Sequence, residues 1–396
     1  MVRDEVIRRS LEATNWDLMA CSVPSNVLLL TGYWPAAGYS VAVATREGQI
    51  ALIVPECEDD VAEHSWADEI VTYSPAPFDR LTTAEEPVYE AFSGLKSRIH
   101  ILADRIGFEQ AEAFEPAAFA PNLFRGSSAR ILRRAFPSAT FAPADELLAE
   151  MRSVKTPAEI AHIRTACRIA GQAFAKGVQV LRPGITEAEA AAAFRVGLSS
   201  CLAEYPEVKR CDGFVYCMSG PNAAHASGPY SRSRSRRLAK GDTVIVRCHC
   251  YSDGYWADIA RTYYLGELGP GSRPIFDAVP DARRGVLNAL RPGIKASDLD
   301  ECARAAIEAH GFGAFVKHPT GHGAGFGALE HTARPRIHPR SNDVIEPGMV
   351  FKVEPGVYIE GRSGVRTSDM VAVTADGHES LSCFHWDLEE LTLSVT

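Results

Sequence analysis

The chain has 396 residues, 46% hydrophobic and 23% charged, a globular balance that excludes collagenous, coiled-coil and wholly disordered classes. A formal charge of −9 argues against nucleic acid as the main partner, because phosphate binding draws on an excess of Lys and Arg. Ten cysteines without a CxxC pair fit neither a disulfide scaffold nor a structural zinc module, and suit free thiols in a reducing compartment.

The first ten residues carry Arg3, Asp4, Glu5, Arg8 and Arg9 with no apolar stretch behind them, and no apolar run approaches the ~18 residues of a membrane span. The reading is a cytoplasmic protein without a membrane partner. Strand-like patterns follow at 17–22, 39–45, 49–54, 69–73 and 99–104, interleaved with helical stretches, which predicts an N-terminal α/β domain over 1–150 and a second domain over 151–396. At the boundary, Thr156-Pro157-Ala158-Glu159 has the spacing of a capping box with Pro at the first helical position. A long helix starts there, with Ile160, Ile163, Cys167 and Ala170 on one stripe.

Leu181-Arg182-Pro183-Gly184-Ile185 recurs as Leu290-Arg291-Pro292-Gly293-Ile294, each copy between two helical segments, the second of which begins near Thr186 or Ser297. The repeat predicts an internal duplication with a pseudo-twofold axis and a site near that axis. Residues 244–251 and 255–262 alternate around Ser252-Asp253-Gly254 and read as a β-hairpin. A turn at Ser252-Asp253 sets Arg247 opposite Asp258; a turn at Asp253-Gly254 sets His249 there and leaves Arg247 diagonal. Either way Arg247, His249 and Asp258 share one face, which is costly unless that face lines a cleft. The arginine-rich run at 231–237 reads as a solvated, mobile loop.

Glycines surround His322 in His318-Pro319-Thr320-Gly321-His322-Gly323-Ala324-Gly325, and Glu330-His331 follows. The apolar strand Met349-Val350-Phe351-Lys352-Val353 ends in Glu354, a carboxylate that is costly to bury without a partner. Arg366 belongs to a last strand, Gly364-Val365-Arg366.

Together, Asp-Gly-Tyr-x-x-Asp-x-x-Arg-Thr (253–262), Thr-Gly-His-Gly (320–323), Pro-Gly-Met-Val-Phe-x-x-Glu-Pro-Gly (347–356) and Gly-Val-Arg (364–366) resemble the creatinase/aminopeptidase P/prolidase family over about 155–385. Residues 26–33 resemble the family's N-terminal domain more weakly. The resemblance implies an α/β (α+β) chain, with a creatinase-like N-terminal domain and a C-terminal pita-bread domain of duplicated halves. Peptidases of the family hold two divalent metals with Asp, Asp, His, Glu and Glu. Carried onto this sequence, three of those ligands remain as Asp258, His322 and Glu354, whereas the first Asp falls on Arg247 and the last Glu on Ser368. The family's second His falls on Leu329 unless an insertion restores it as His331. Its remaining His falls on Ser227, with His225 two residues early.

Two carboxylates facing Arg247 leave about −1 of formal charge, so metal-free chemistry is preferred over a single divalent ion (Mn, Zn or Fe) on Asp258, His322 and Glu354. The expected function is a creatinase-like, metal-independent hydrolase cleaving an amide- or amidine-type C–N bond in a small carboxylate-bearing molecule. The alternatives are an Xaa-Pro aminopeptidase or dipeptidase with a mononuclear metal site, and an inactive ligand-binding member. Candidate catalytic residues are His322, Glu354 and Asp258, with His331 and His225 behind them. Arg247, Arg366 and His249 are candidates for binding the substrate, and a homodimer is the expected assembly.

Overall fold

The computed structural model describes residues 3–110, 128–227, 232–269, 272–327, 333–385 and 387–395. They form two compact units, Met1–Arg152 and Ser153–Thr396. The first is built on a six-stranded sheet of β1 (Leu18–Cys21), β2 (Val41–Thr45), β3 (Ile50–Pro55), β4 (Glu69–Tyr73), β5 (Arg105–Phe108) and β6 (Thr140–Pro143), in the order β4-β3-β2-β1-β5-β6. Leu18, Val41, Val43, Ile53 and Ile106 from the sheet pack on Phe92 and Leu132 from helices, closing a core of its own. The strands read at 17–22, 39–45, 49–54 and 69–73 coincide with β1 to β4. The strand read at 99–104 does not form. Helix Glu86–Arg98 ends there, His100 turns the chain at φ 52°, and Ile101 is buried from a loop, so its apolar residues mimic a strand.

The second unit begins with the helix Pro157–Val178, whose Thr156 and Glu159 make the reciprocal bonds of a capping box. Ile163, Cys167 and Ala170 are buried along it, and Ile160 is half-buried. Its strands are β7 (Cys211–Ser219), β8 (Thr243–Ser252), β9 (Tyr255–Leu265), β10 (Gly321–Gly323), β11 (Val350–Val353), β12 (Gly356–Ile359), β13 (Ser363–Arg366), β14 (Asp369–Val373), β15 (His378–Ser380) and β16 (Thr392–Leu393). They assemble as β16-β9-β8-β7, β10-β11-β14-β15 and the ribbon β12-β13. Helices Arg273–Ala289 and Ala296–Ala309 bury Val279, Val286, Leu299 and Ile307 against Phe351, Val353 and Val371. No helix among the described residues is long and apolar enough to cross a membrane.

The repeated pentapeptides occupy equivalent places. Gly184 N–H donates to Leu238 O at 2.8 Å and Leu238 N–H returns to Ile185 O; Gly293 N–H donates to Ile345 O at 2.8 Å and Ile345 N–H returns to Ile294 O. Both glycines take a left-handed conformation, at φ 94° and 85°. The halves differ at the following helix. Thr186 caps the first, whereas the second starts at Ala296, ahead of Ser297, with Ala296 N–H held by Asp343 O and no side-chain cap at Lys295. In the run 231–237, Arg232, Ser235 and Arg237 are exposed, as a solvated segment requires, but the chain from Arg234 to Arg237 is tied down. Arg234 N–H binds Glu187, Arg236 makes two contacts to Asp242 at 2.5 and 2.9 Å, and Arg237 donates to Gly184 O.

Candidate active site

The β8–β9 hairpin turns at Asp253-Gly254, both with positive φ, so His249 stands opposite Asp258 and Arg247 lies on the diagonal, opposite Ala260. Arg247 nevertheless reaches Asp258 with two donors, Nη2 at 2.8 Å and Nε at 3.3 Å, and both side chains are buried. Such a two-pronged pair fixes both planes.

β11 brings the second carboxylate. Lys352 and Glu354 are two residues apart, which in an extended chain puts them on one face. Lys352 Nζ lies 2.5 Å from Asp258 Oδ2 and 2.8 Å from Glu354 Oε2, and Arg366 Nη2 donates to the same Glu354 oxygen. Arg366 is set in turn by a reciprocal pair with Thr262, at 2.9 and 2.8 Å, and by Nη1 on Ala226 O. Arg247, Asp258, Lys352, Glu354 and Arg366 thus form one buried line of alternating charge.

His322 projects from β10, with Nε2 4.0 Å from Glu354 Oε1. Its Nδ1 lies 2.8 Å from Gly323 O. A carbonyl only accepts, so Nδ1 carries the proton and a neutral ring keeps its lone pair on Nε2. The loop before His322 is fixed by Asp300, which accepts from Thr320 N–H at 2.9 Å and from its hydroxyl at 2.8 Å. By the same carbonyl argument His318 donates from Nδ1 to Pro319 O, leaving Nε2 to accept from Tyr358 Oη at 2.7 Å. Arg247, His318, His322, Arg336, Glu354 and Arg366 line a cavity of about 640 Å³, within the usual range for small-molecule sites. The Nε of Arg366, itself buried behind the cavity wall, has no hydrogen-bond partner among the described residues.

The electrostatics follow from this packing. Burial alone would raise the Asp258 carboxyl, but Arg247, His249 and Lys352 override it and hold it well below the usual carboxylate range. Burial pushes Lys352 far down; Asp258 opposes this, and Arg247 and Arg366 add to it. Burial, helped by Arg247, brings Arg366 down to about 9. His318 is held well below the usual histidine value by burial and by Arg366. Because its folded value is depressed, the unfolded chain takes up this proton more readily. The stability that neutral His318 contributes is therefore full above about pH 6.5 and falls as the pH drops below it. Thermal unfolding should show a midpoint that falls below about pH 6.5, and His318→Gln should flatten that slope.

Several sequence candidates are brought together and others are not. Asp258, Glu354, His322, Arg247 and Arg366 converge. His249 is fully buried behind Asp258, 3.7 Å from it and edge-on to Tyr216, so it does not form the cavity wall expected of a substrate contact. His225 ends a short 3₁₀ helix with its side chain exposed; its neighbours Ala226 and Ser227 face the site in its place. His331 lies outside the described residues. Sequence reasoning missed Lys352, His318 and Tyr358. The spacing of Lys352 and Glu354 was the available signal for the first, and nothing local marks the other two.

Residues 161–375 match metallopeptidase family M24, and residues 3–154 match the creatinase/prolidase N-terminal domain. The chain belongs to metallopeptidase family M24. It is an enzyme of the hydrolase class. The Xaa-Pro dipeptidase of Pyrococcus horikoshii is 27% identical to it over 384 residues, 96% of this chain and 97% of that protein. The probable dipeptidase PepE of Mycobacterium tuberculosis is 35% identical over 245 residues, 61% of this chain and 62% of its own length. The crystal structure of the prolidase from Pyrococcus horikoshii superposes with a TM-score of 0.75 at 25% identity, covering 98% of this chain and 99% of that one. The pita-bread architecture with a creatinase-like N-terminal domain is therefore established for this M24 member. Relatives with these names favour the peptidase alternative over the creatinase-like reading.

The metals of M24 peptidases do not fit the residues present. Arg247 and Ser368 stand at two of the five ligand positions, and Ser368 spends its hydroxyl on Asp258 O at 3.1 Å. Asp258 and Glu354 are both engaged by Lys352 Nζ and each by an arginine as well. Both oxygens of Asp258 and one of Glu354 are thus held by buried cations, and an ion shared by the two carboxylates would have to displace a cation at Asp258.

Proposed function

We propose that this M24 chain hydrolyses the C–N bond of a dipeptide-sized amide carrying a free carboxylate. The substrate size and the peptide class are supported by the names of its relatives, Xaa-Pro dipeptidase and dipeptidase. The observation that carries the carboxylate is the charge of the cavity lining, in which Arg247, Arg336, Arg340 and Arg366 stand against Glu354 as the one carboxylate among the described residues. A lining with this excess of guanidinium groups suits a carboxylate, which arginine holds with charge-assisted bonds.

In this reading His322 Nε2 takes a proton from the attacking water as its oxygen adds to the carbonyl carbon. The imidazolium formed faces Glu354 Oε1, the oxygen of that carboxylate not claimed by Lys352 and Arg366. His322 then delivers the proton to the leaving nitrogen as the C–N bond breaks, giving an acid and an amine. Arg247 and Arg366 stabilise the negative charge on the carbonyl oxygen in between. His318 takes no part in proton transfer, since both its nitrogens are committed. A reducing, cytoplasmic setting belongs to the same reading and is supported by ten cysteines, none of them in a disulfide.

The test is a panel of free dipeptides, Xaa-Pro sequences included, incubated with the full-length protein and followed by mass spectrometry. Appearance of both amino-acid products in equal amounts is expected. A panel left intact by protein shown to be folded would overturn the proposal.

A further inference from the structure

The middle place in the buried line of charges belongs to Lys352. Its side chain is fully enclosed, and its Nζ bridges carboxylates that come from two different strands, Asp258 on β9 and Glu354 at the end of β11. A divalent ion between these two residues would compete with Nζ for the space between the carboxylates and with Arg247, which takes both oxygens of Asp258. Charge points the same way. Arg247, Lys352 and Arg366 against Asp258 and Glu354 come to +1 with Lys352 protonated and to zero with it deprotonated. Neither state leaves the negative surplus with which proteins hold hard divalent cations.

We propose that Lys352 replaces the metal ions of the M24 peptidases: its Nζ ties Asp258 to Glu354 and turns Glu354 Oε1 toward His322, and the site works with no divalent ion between the two carboxylates. Lys352 is a positioning residue here, since it touches neither cavity nor substrate. The half of this inference that concerns turnover rests on the hydrolase reading above, whereas the half that concerns ion binding stands apart from it.

Isothermal titration calorimetry separates the two. Chelator-treated full-length protein is titrated with Mn²⁺ and then with Zn²⁺, beside Glu354→Gln, Asp258→Asn and His322→Ala. The last removes a potential ligand from the cavity wall without breaking an ion pair, so it serves should the carboxylate variants fail to fold. The expected result is no saturable binding that any of these substitutions removes. Binding that survives all of them lies elsewhere on the molecule and agrees with the proposal. One saturable equivalent in the wild type that is lost in any of them overturns it.

For turnover, Lys352→Met is expected to lower kcat by about 100-fold, the scale of a catalytic group displaced by about 1 Å, with KM changed by less than about threefold. Added Mn²⁺ should restore nothing. A variant that keeps wild-type kcat, or regains it with Mn²⁺, contradicts the positioning role. If the wild type cleaves no dipeptide, the hydrolase reading fails while the calorimetric result still decides whether Lys352 excludes the ion.

Discussion

His322→Ala should lower kcat by about 10²–10⁴-fold while leaving the unfolding midpoint close to that of the wild type. The asymmetry comes from where the ring lies. It is buried but forms part of the cavity wall, so truncation enlarges an existing cavity rather than opening a new one in the core. The structural bond lost is Nδ1–H to Gly323 O, worth on the order of 1 kcal/mol. What disappears with it is Nε2, 4.0 Å from Glu354 Oε1 and the atom proposed to accept a proton from water and return it to nitrogen. Steady-state kinetics on any dipeptide cleaved by the wild type, together with thermal unfolding, checks both halves. Near-normal kcat would remove His322 from the mechanism and direct attention to His331.

Asp369→Ala should behave in the opposite way, costing about 3–5 kcal/mol of stability. Asp369 is fully buried at the start of β14 and faces two guanidiniums, Arg261 at 2.6 Å and Arg283, with Ser382 Oγ donating at 2.8 Å. Burial would raise its carboxyl, but Arg261 and Arg283 outweigh that and hold it below the usual value. Without the carboxylate, Arg261 keeps carbonyl partners at Ala260, Ser368, Ser382 and Phe384 and the Phe384 ring 4.7 Å away, but no counter-charge, and a full positive charge is left in the interior. Chemical denaturation of the full chain measures the loss. A change under about 1 kcal/mol would show that water reaches the triad.

These two residues also mark what the sequence makes legible. Both halves of the duplicated domain could be read because Pro-Gly stops and the Thr156 capping box are local signals, encoded within four or five residues. The strand around Glu354 and the pairing of Arg247 with Asp258 were readable from period-two alternation, down to the two possible hairpin registers. The error at 99–104 arose because a buried loop residue, Ile101, looks like a strand residue when its partners are unknown. Lys352 was passed over for the reverse reason. A lysine in an apolar strand reads as an edge residue reaching solvent, and only the tertiary structure reveals that two distant carboxylates enclose it. His225 misses the site by two residues, since the 3₁₀ helix leaves it exposed while Ser227 lines the cavity. His318 depends on Tyr358, forty positions away, and no local pattern predicts that partner.

A cationic site built to receive a substrate carboxylate is tested most directly by comparing kcat/KM for a cleaved dipeptide with that for its C-terminal amide. Replacing the carboxylate by a neutral amide removes one charge-assisted bond to the arginine-rich lining, worth about 1.5–3 kcal/mol, or roughly 10–100-fold. The free acid should be preferred by that factor. Equal kcat/KM for the acid and the amide would contradict the account.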